Sequence, residues 1–297
     1  MATTLNVSSL PDYIEQHRDE LFVKSTVGAK TLDYVEIMPN VKYKDALNYL
    51  DTDIALRAAS CEWAPDGQVN FTQRYIEVKA VESQLELCWL DFQKKYMNYQ
   101  LNFEAGREKL PFEEKIADSL VENAKEAVEE LVWLGNSGLG ITGFIADAAE
   151  ASAATVTFAS GSTAVGKVDA MVAALPIAMI KKGVNIFMSY SDFMSYIQEL
   201  NGTCCSNRPV QDANAEEFTY LGNSKVKLIP VLGLENAGGV MVASTNDALV
   251  YGTDIEGSET TFEVWYSKDD KKFKFQLLFN AGTAIKWPDE VIVGSAA

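Results

Sequence analysis

The residues best placed to do chemistry lie at Gly161-Ser162-Thr163-Ala164-Val165-Gly166-Lys167-Val168. The stretch follows the pattern G-x-x-x-x-G-K-[ST] up to its last position. In a phosphate-binding loop of that pattern, backbone N–H groups cradle phosphates, the lysine reaches the outer phosphate and the hydroxyl ligates magnesium. The context suits it, because residues 154–159 could form a strand and a helical pattern follows. Val168, however, stands where the hydroxyl is needed, and Met188-Ser189-Tyr190-Ser191-Asp192 is a poor imitation of the strand-ending aspartate that would hold the metal. The reading favoured is a glycine-rich entry to a helix, with a nucleotide-hydrolysing enzyme as the lesser alternative. A second match, Gly138-Leu139-Gly140-Ile141-Thr142-Gly143, fits G-x-G-x-x-G. A dinucleotide site needs a strand before those glycines and a helix opening on them. Here a helix precedes and none is expected to follow at once, so a helix-terminating loop is expected.

Other chemistry finds little support. His17 is the single histidine, and it falls on a short helical pattern near the N-terminus, where a solvated position is expected. Cys61 and Cys88 lie in different segments, while Cys204 and Cys205 are adjacent, a spacing unsuited to zinc. Reduced thiols in a cytosolic compartment are expected, with no role assigned to the Cys204–Cys205 pair. The 42 Asp and Glu residues form no recognisable catalytic constellation. No catalytic, cofactor-binding or metal-ligating residue is assigned, and no cofactor is expected.

The charge balance bears on partners. A formal net charge of −17 over 297 residues repels phosphate backbones, which argues against nucleic-acid recognition as the main task. No apolar run approaches the roughly 20 residues of a membrane span. The N-terminal stretch lacks the basic and apolar regions of a secretory signal, so Asn6, Asn70 and Asn201 are read as chance matches to the glycosylation pattern.

The elements that would hold all this are organised around one long helix. Residues 111–134 read as about 24 helical residues, roughly 36 Å long. Pro111 suits the first turn, Glu113 and Glu114 the positive end of the dipole, and Gly135 with Asn136 the stop. Ile116, Leu120, Ala124, Ala127, Leu131 and Leu134 form the expected buried stripe. Asp118, Glu122, Lys125, Glu126, Glu129 and Glu130 are expected to face water.

Before this helix, residues 1–47 read as an arm, with a short amphipathic helix over 13–23 and an extended segment ending at Pro39. Residues 46–88 read as a β-hairpin turning at Pro65-Asp66-Gly67, with limbs of about 15 residues, far beyond the usual strand. Its alternation slips between Tyr75 and Ile76, which predicts a bulge or twist. Nothing nearby in sequence covers it, so it must pack on another domain or another molecule. Residues 88–101 give a further helical pattern. After the long helix come a helical run over 163–180, a buried strand over 184–188, a short helix over 192–200, an exposed polar loop over 203–217 and a strand over 225–232. From Gly238 onward the pattern is all strands: 240–243, 248–251, 260–266, 273–279 and 290–293.

This order of parts resembles the tailed-bacteriophage major capsid proteins of the Hong Kong 97 fold. The stretches that carry the resemblance run from Cys61-Glu62-Trp63 to Phe71-Thr72-Gln73-Arg74, over 111–135, and from Val231-Leu232-Gly233-Leu234 to Tyr251-Gly252-Thr253-Asp254. The resemblance covers essentially the whole chain and implies an α+β fold. Its parts would be an N-arm at 1–47, an E-loop hairpin at 48–87 and a peripheral domain at 88–144 and 239–297 with a spine helix at 111–134. An axial α/β domain would occupy 145–238. It implies a non-enzymatic shell protein that assembles with itself into hexamers and pentamers of an icosahedral-type head around double-stranded DNA. Scaffolding and portal proteins would be its partners, the virion its place, and the host cytoplasm its site of assembly, without a membrane. Some members of that family form isopeptide crosslinks between subunits, but no motif here licenses assigning one. The nearest alternative is a protein nanocompartment shell of the encapsulin type.

Overall fold

Two β-sheets and one long helix carry the fold in the computed structural model, which describes residues 21, 24–25, 29–53, 56, 68–88, 112–202, 218–220, 225–254, 261–270 and 272–296. A single 3-10 turn at Lys30–Tyr34 leads into β1 (Glu36–Met38). Next, β2 (Lys44–Asp53) and β3 (Gln68–Glu77) pair antiparallel along their full length, Lys44 opposite Glu77 and Asp53 opposite Gln68. They make a two-stranded ribbon with no other strand beside it among the described residues. The turn at 65–67, the short N-terminal helix apart from a few of its residues, the helical pattern at 88–101 past Cys88, and the polar loop at 203–217 lie outside the described residues.

The long hairpin expected from the sequence is in fact two structures. The chain breaks at Val78 and resumes as β4 (Lys79–Cys88), which leaves the ribbon and pairs with β14 (Lys272–Ile285). Val78 and Val81 are both buried although three residues apart, a spacing that one continuous strand would point to opposite faces. The break lets each enter a different cluster of the core. The expected slip is therefore present, two residues further along.

The helix falls where expected, as α1 (Phe112–Leu134). After a two-residue pairing of β5 (Gly135–Asn136) with β6 (Ile141–Thr142) comes α2 (Phe144–Glu150). A helix thus does open on the glycines, contrary to expectation. The run predicted as one helix over 163–180 is two, α3 (Ala164–Ala174) and α4 (Ile177–Lys182). Pro176 divides them: it lacks an N–H and drives Leu175 into extended backbone, φ −69° and ψ 125°.

One sheet runs β1, β12 (Leu249–Thr253), β14, β13 (Thr261–Ser267), with β4 also on β14. The other runs β7 (Ala154–Phe158), β15 (Val291–Ala296), β11 (Met241–Ser244), β8 (Val184–Ser189), β10 (Val226–Val231), β9 (Phe218–Thr219). All six residues of β8 are buried, as a central strand between parallel and antiparallel neighbours requires. The sequence placed β11 and β15 with the meander; they instead lie within this second sheet, because their near-continuous apolar runs suit a strand covered on both faces. A helix α5 (Tyr190–Gly202) follows β8 and packs with α3 over the sheet.

Candidate functional site

At the N-terminus of α3 the structure gives the phosphate-loop resemblance a different use. The first amides of the helix point at a carboxylate of the chain itself: Ala164 N–H donates to Glu199 Oε1 at 3.0 Å, and Val165 N–H to Oε2 at 2.8 Å. Thr163 caps the helix by accepting from Gly166 N–H at 3.1 Å. These bonds hold the Glu199 carboxyl below the usual range. The positive end of the helix, where a phosphate would sit, is filled by α5. Lys167 donates to Asp192 Oδ1 at 2.9 Å, and Asp192 Oδ2 accepts from Ser189 Oγ at 3.1 Å. The motif residues Lys167 and Asp192 are therefore brought together, but as an ion pair that ties α3 to α5.

The second glycine motif is also structural. A Cβ on Gly143 would stand 2.3 Å from the Gly135 nitrogen, so the two glycines let β5 and β6 close on each other at the end of α1. Of the remaining sequence candidates, His17, Cys61, Cys204 and Cys205 lie outside the described residues. Cys88 is an exposed free thiol at the end of β4. Among the described residues no three His, Cys, Asp or Glu side chains stand together as a metal site. No helix among them is long and apolar enough to cross a membrane.

On α1 the buried face is one residue away from the one expected. Val121, Val128, Val132 and Trp133 enter the core. Trp133 packs against Phe144 and Phe187, with ring centroids 5.6 and 4.9 Å away. Glu129, expected in water, is 4 % exposed. It accepts from Thr31 N–H at 3.2 Å and from Thr31 Oγ1 at 2.9 Å, while Trp133 Nε1 donates to the same Oγ1 at 2.8 Å. Burial pushes its carboxyl above the usual range, and the Thr31 bonds pull it partly back. This triad ties the 3-10 turn at Lys30–Tyr34 to α1.

Of the expected stripe, Leu120, Ala124, Leu131 and Leu134 are half-buried and Ala127 is exposed; they line an open apolar groove of about 580 Å³ with Val81, Leu85 and Phe275, while the side chain of Ile116 lies outside those described. A second apolar surface lies on the ribbon. Leu50 and Phe71 are cross-strand partners, and Val69 and Tyr75 share their face; all four are exposed, Phe71 at 74 %. The other face turns to the body. Leu47 and Ile76 are buried there, Tyr49 meets Trp287, and Arg74 donates to Asp147 of α2 at 3.0 Å. The alternation of 69 to 75 announced the exposed face, but no signal in the sequence announced Arg74–Asp147, whose members are 73 residues apart.

No known family model and no curated protein matches the chain. Solved structures do. The capsid of an empty GTA particle superposes with a TM-score of 0.60 at 10 % identity, covering 92 % of this chain and 90 % of that one. The satellite phage P4 procapsid, solved with its size determination protein, gives 0.58 at 10 % identity over 93 % and 96 %. A virus-like particle from Pyrococcus furiosus gives 0.55 at 11 % identity over 96 % and 100 %. The chain has the mixed helix-and-sheet fold of these Hong Kong 97-like capsid chains over nearly its whole length.

Proposed function

We propose that this chain is the major shell protein of a phage-type head, which assembles with itself into a closed icosahedral-type particle around double-stranded DNA and catalyses nothing. The observation that carries the reading is the ribbon, one face anchored on the body and the other presenting Leu50, Val69, Phe71 and Tyr75 to water. A two-stranded ribbon is marginal by itself, and an apolar face of this kind is covered when identical copies meet in repeated heterologous contacts. The fold shared with capsid chains supports the same reading. The net charge of −17 suits a wall that encloses DNA without gripping it.

In these terms the arm is 1–47, the hairpin 48–87 with the ribbon beyond Leu47 as its projecting part, and the peripheral unit 88–144 and 239–297 with α1 as spine. The axial unit is 145–238, whose sheet is completed by β11 and β15 from the returning chain. Hexamers and pentamers would be the building units, with scaffolding and portal proteins as further partners, in the host cytoplasm during assembly and in the virion afterwards. Electron microscopy of the purified, overexpressed protein tests this: closed shells of uniform size are expected. A chain that stays monomeric at high concentration, with a scaffolding partner supplied, would overturn it. Shells filled with protein in place of DNA from the producing cell would shift the reading to a nanocompartment.

A further inference from the structure

The ribbon meets the body in three ways. At its root Leu47, Ile76 and Val78 join Val41, Val250 and Ala284 in a small cluster separate from the two main cores. There the chain crosses β14 backbone against backbone: a Cβ on Gly282 would stand 2.1 Å from the Glu77 carbonyl and 3.0 Å from Val78 Cα. With no side chain between them, the two backbones meet directly there. Further out, the Tyr49 and Trp287 rings lie 5.1 Å apart, and Arg74 Nη2 donates to Asp147 Oδ1 at 3.0 Å. Leu47 is opposite Arg74 and Tyr49 is opposite Thr72, so both contacts lie on one face, one from each strand.

Asp147 is held for this contact. Its side chain is 11 % exposed, and its second oxygen accepts the N–H of Ile285 on β14. Burial pushes the carboxyl above its usual range, the Arg74 guanidinium and the Ile285 amide draw it down, and Glu150 on the same helix pushes it up. Three other cations around the root are engaged: Lys286 with Glu36, and Lys44 and Lys79 with Glu77.

We infer that the Arg74–Asp147 pair is a latch that fixes the angle of the β2–β3 ribbon against the body, with the Gly282 crossing as its pivot. Lifting the ribbon withdraws Arg74 and leaves a carboxylate buried without its cation. A charged Asp147 therefore goes with the seated ribbon, and a neutral one with the lifted ribbon. Seating lowers the Asp147 pKa relative to lifting. The latch is thus at full strength above the lifted-state value and weakens as pH falls through the seated-state value, which itself lies above 3.8. Its consequence for assembly rests on the shell reading, because the angle of the ribbon sets how its apolar face meets a neighbour.

Amide hydrogen exchange on the purified, unassembled chain tests the latch. A lifted ribbon has little to stabilise it, so its own amides report seating. Asp147→Asn and Arg74→Gln are expected to speed exchange over 44–53 and 68–77 about tenfold at pH 7, leaving β8 and β10 unchanged. Arg74→Lys should keep most of the protection. In the wild type, ribbon protection relative to β8 should fall as pH is lowered towards 4, whereas in Asp147→Asn it should be low and flat. Unchanged ribbon exchange in the Asn and Gln variants would overturn the latch, and so would a loss spread equally over β8 and β10. Because no assembly is involved, that failure leaves the shell reading standing, and a failure to form shells leaves the latch standing.

Discussion

A carboxylate at the N-terminus of α3 and another inside the α1 packing set the electrostatics of single residues here. Glu199 supplies the anion that the amides of Ala164 and Val165 require, so the helix end has no vacancy for a phosphate. Glu129 is the costlier case, since its oxygen is buried against Thr31. Its folded-state pKa is raised above the 4.5 of an exposed glutamate. The stability tied to its proton is therefore fully present below pH 4.5 and is lost as pH rises through the folded-state value. Glu129→Gln keeps an acceptor for Thr31 and removes the charge. It should melt higher than the wild type at pH 7, with the gap closing below pH 4.5. A lower melting temperature at pH 7 would mean that the charged oxygen is worth more as an acceptor than its burial costs. Glu129→Ala leaves the Thr31 N–H and hydroxyl without this acceptor and should cost about 2 kcal/mol in urea denaturation.

Among elements, α1 is apolar on two adjacent lines; one is fully buried in the core, and the other packs against it only partly buried. Val121, Val128 and Val132 are buried, whereas Leu120, Ala124 and Leu131 border the groove. Val128, 2 % exposed, is the sharper probe: Val128→Asp places a charge in the main core and should cost on the order of 4 kcal/mol. Leu120→Asp, on the half-buried line, should cost about 1 kcal/mol, and Glu122→Gln should be nearly silent. Denaturant midpoints of the three variants would rank them; equal costs at 120 and 128 would mean that the two lines are equally buried. Hydrophobic periodicity places a helix and its polar side, but two leucine-type lines 100° apart are equally good candidates until a partner surface is known. That is why the length of α1 was legible and its rotation was not.

For the whole molecule, the question is what covers the ribbon and the groove. Phe71→Glu with Leu50→Lys changes two exposed side chains on one ribbon face, so the fold and its melting temperature should hardly move. Assembly should fall sharply, read by sedimentation beside the wild type. Removing residues 1–20 spares Leu21 of the main core and the bonds of Thr31 to Glu129, and should leave the folded body intact while weakening shells less than the ribbon variant does. If the ribbon variant assembles as well as the wild type, its apolar face is not a contact between copies.

The sequence by itself determined the elements that depend on local pattern: α1 with its glycine stop, the strands of the meander, the buried β8, and a ribbon too long to be covered by its neighbours in sequence. The order of those parts was enough to suggest a capsid-type fold, because arm, hairpin, long helix and returning sheet occur in sequence. Only the tertiary structure decided the pairings between distant segments. It moved β4 from the hairpin to β14, placed β11 beside β8 and β15 between β11 and β7, turned α1 by one residue, and set Arg74 on Asp147 and Glu199 on α3. The reason is physical: propensity and periodicity act within a few residues, whereas polar contacts and strand partners 35 to 202 residues apart are chosen by which surfaces remain to be buried once the local elements exist.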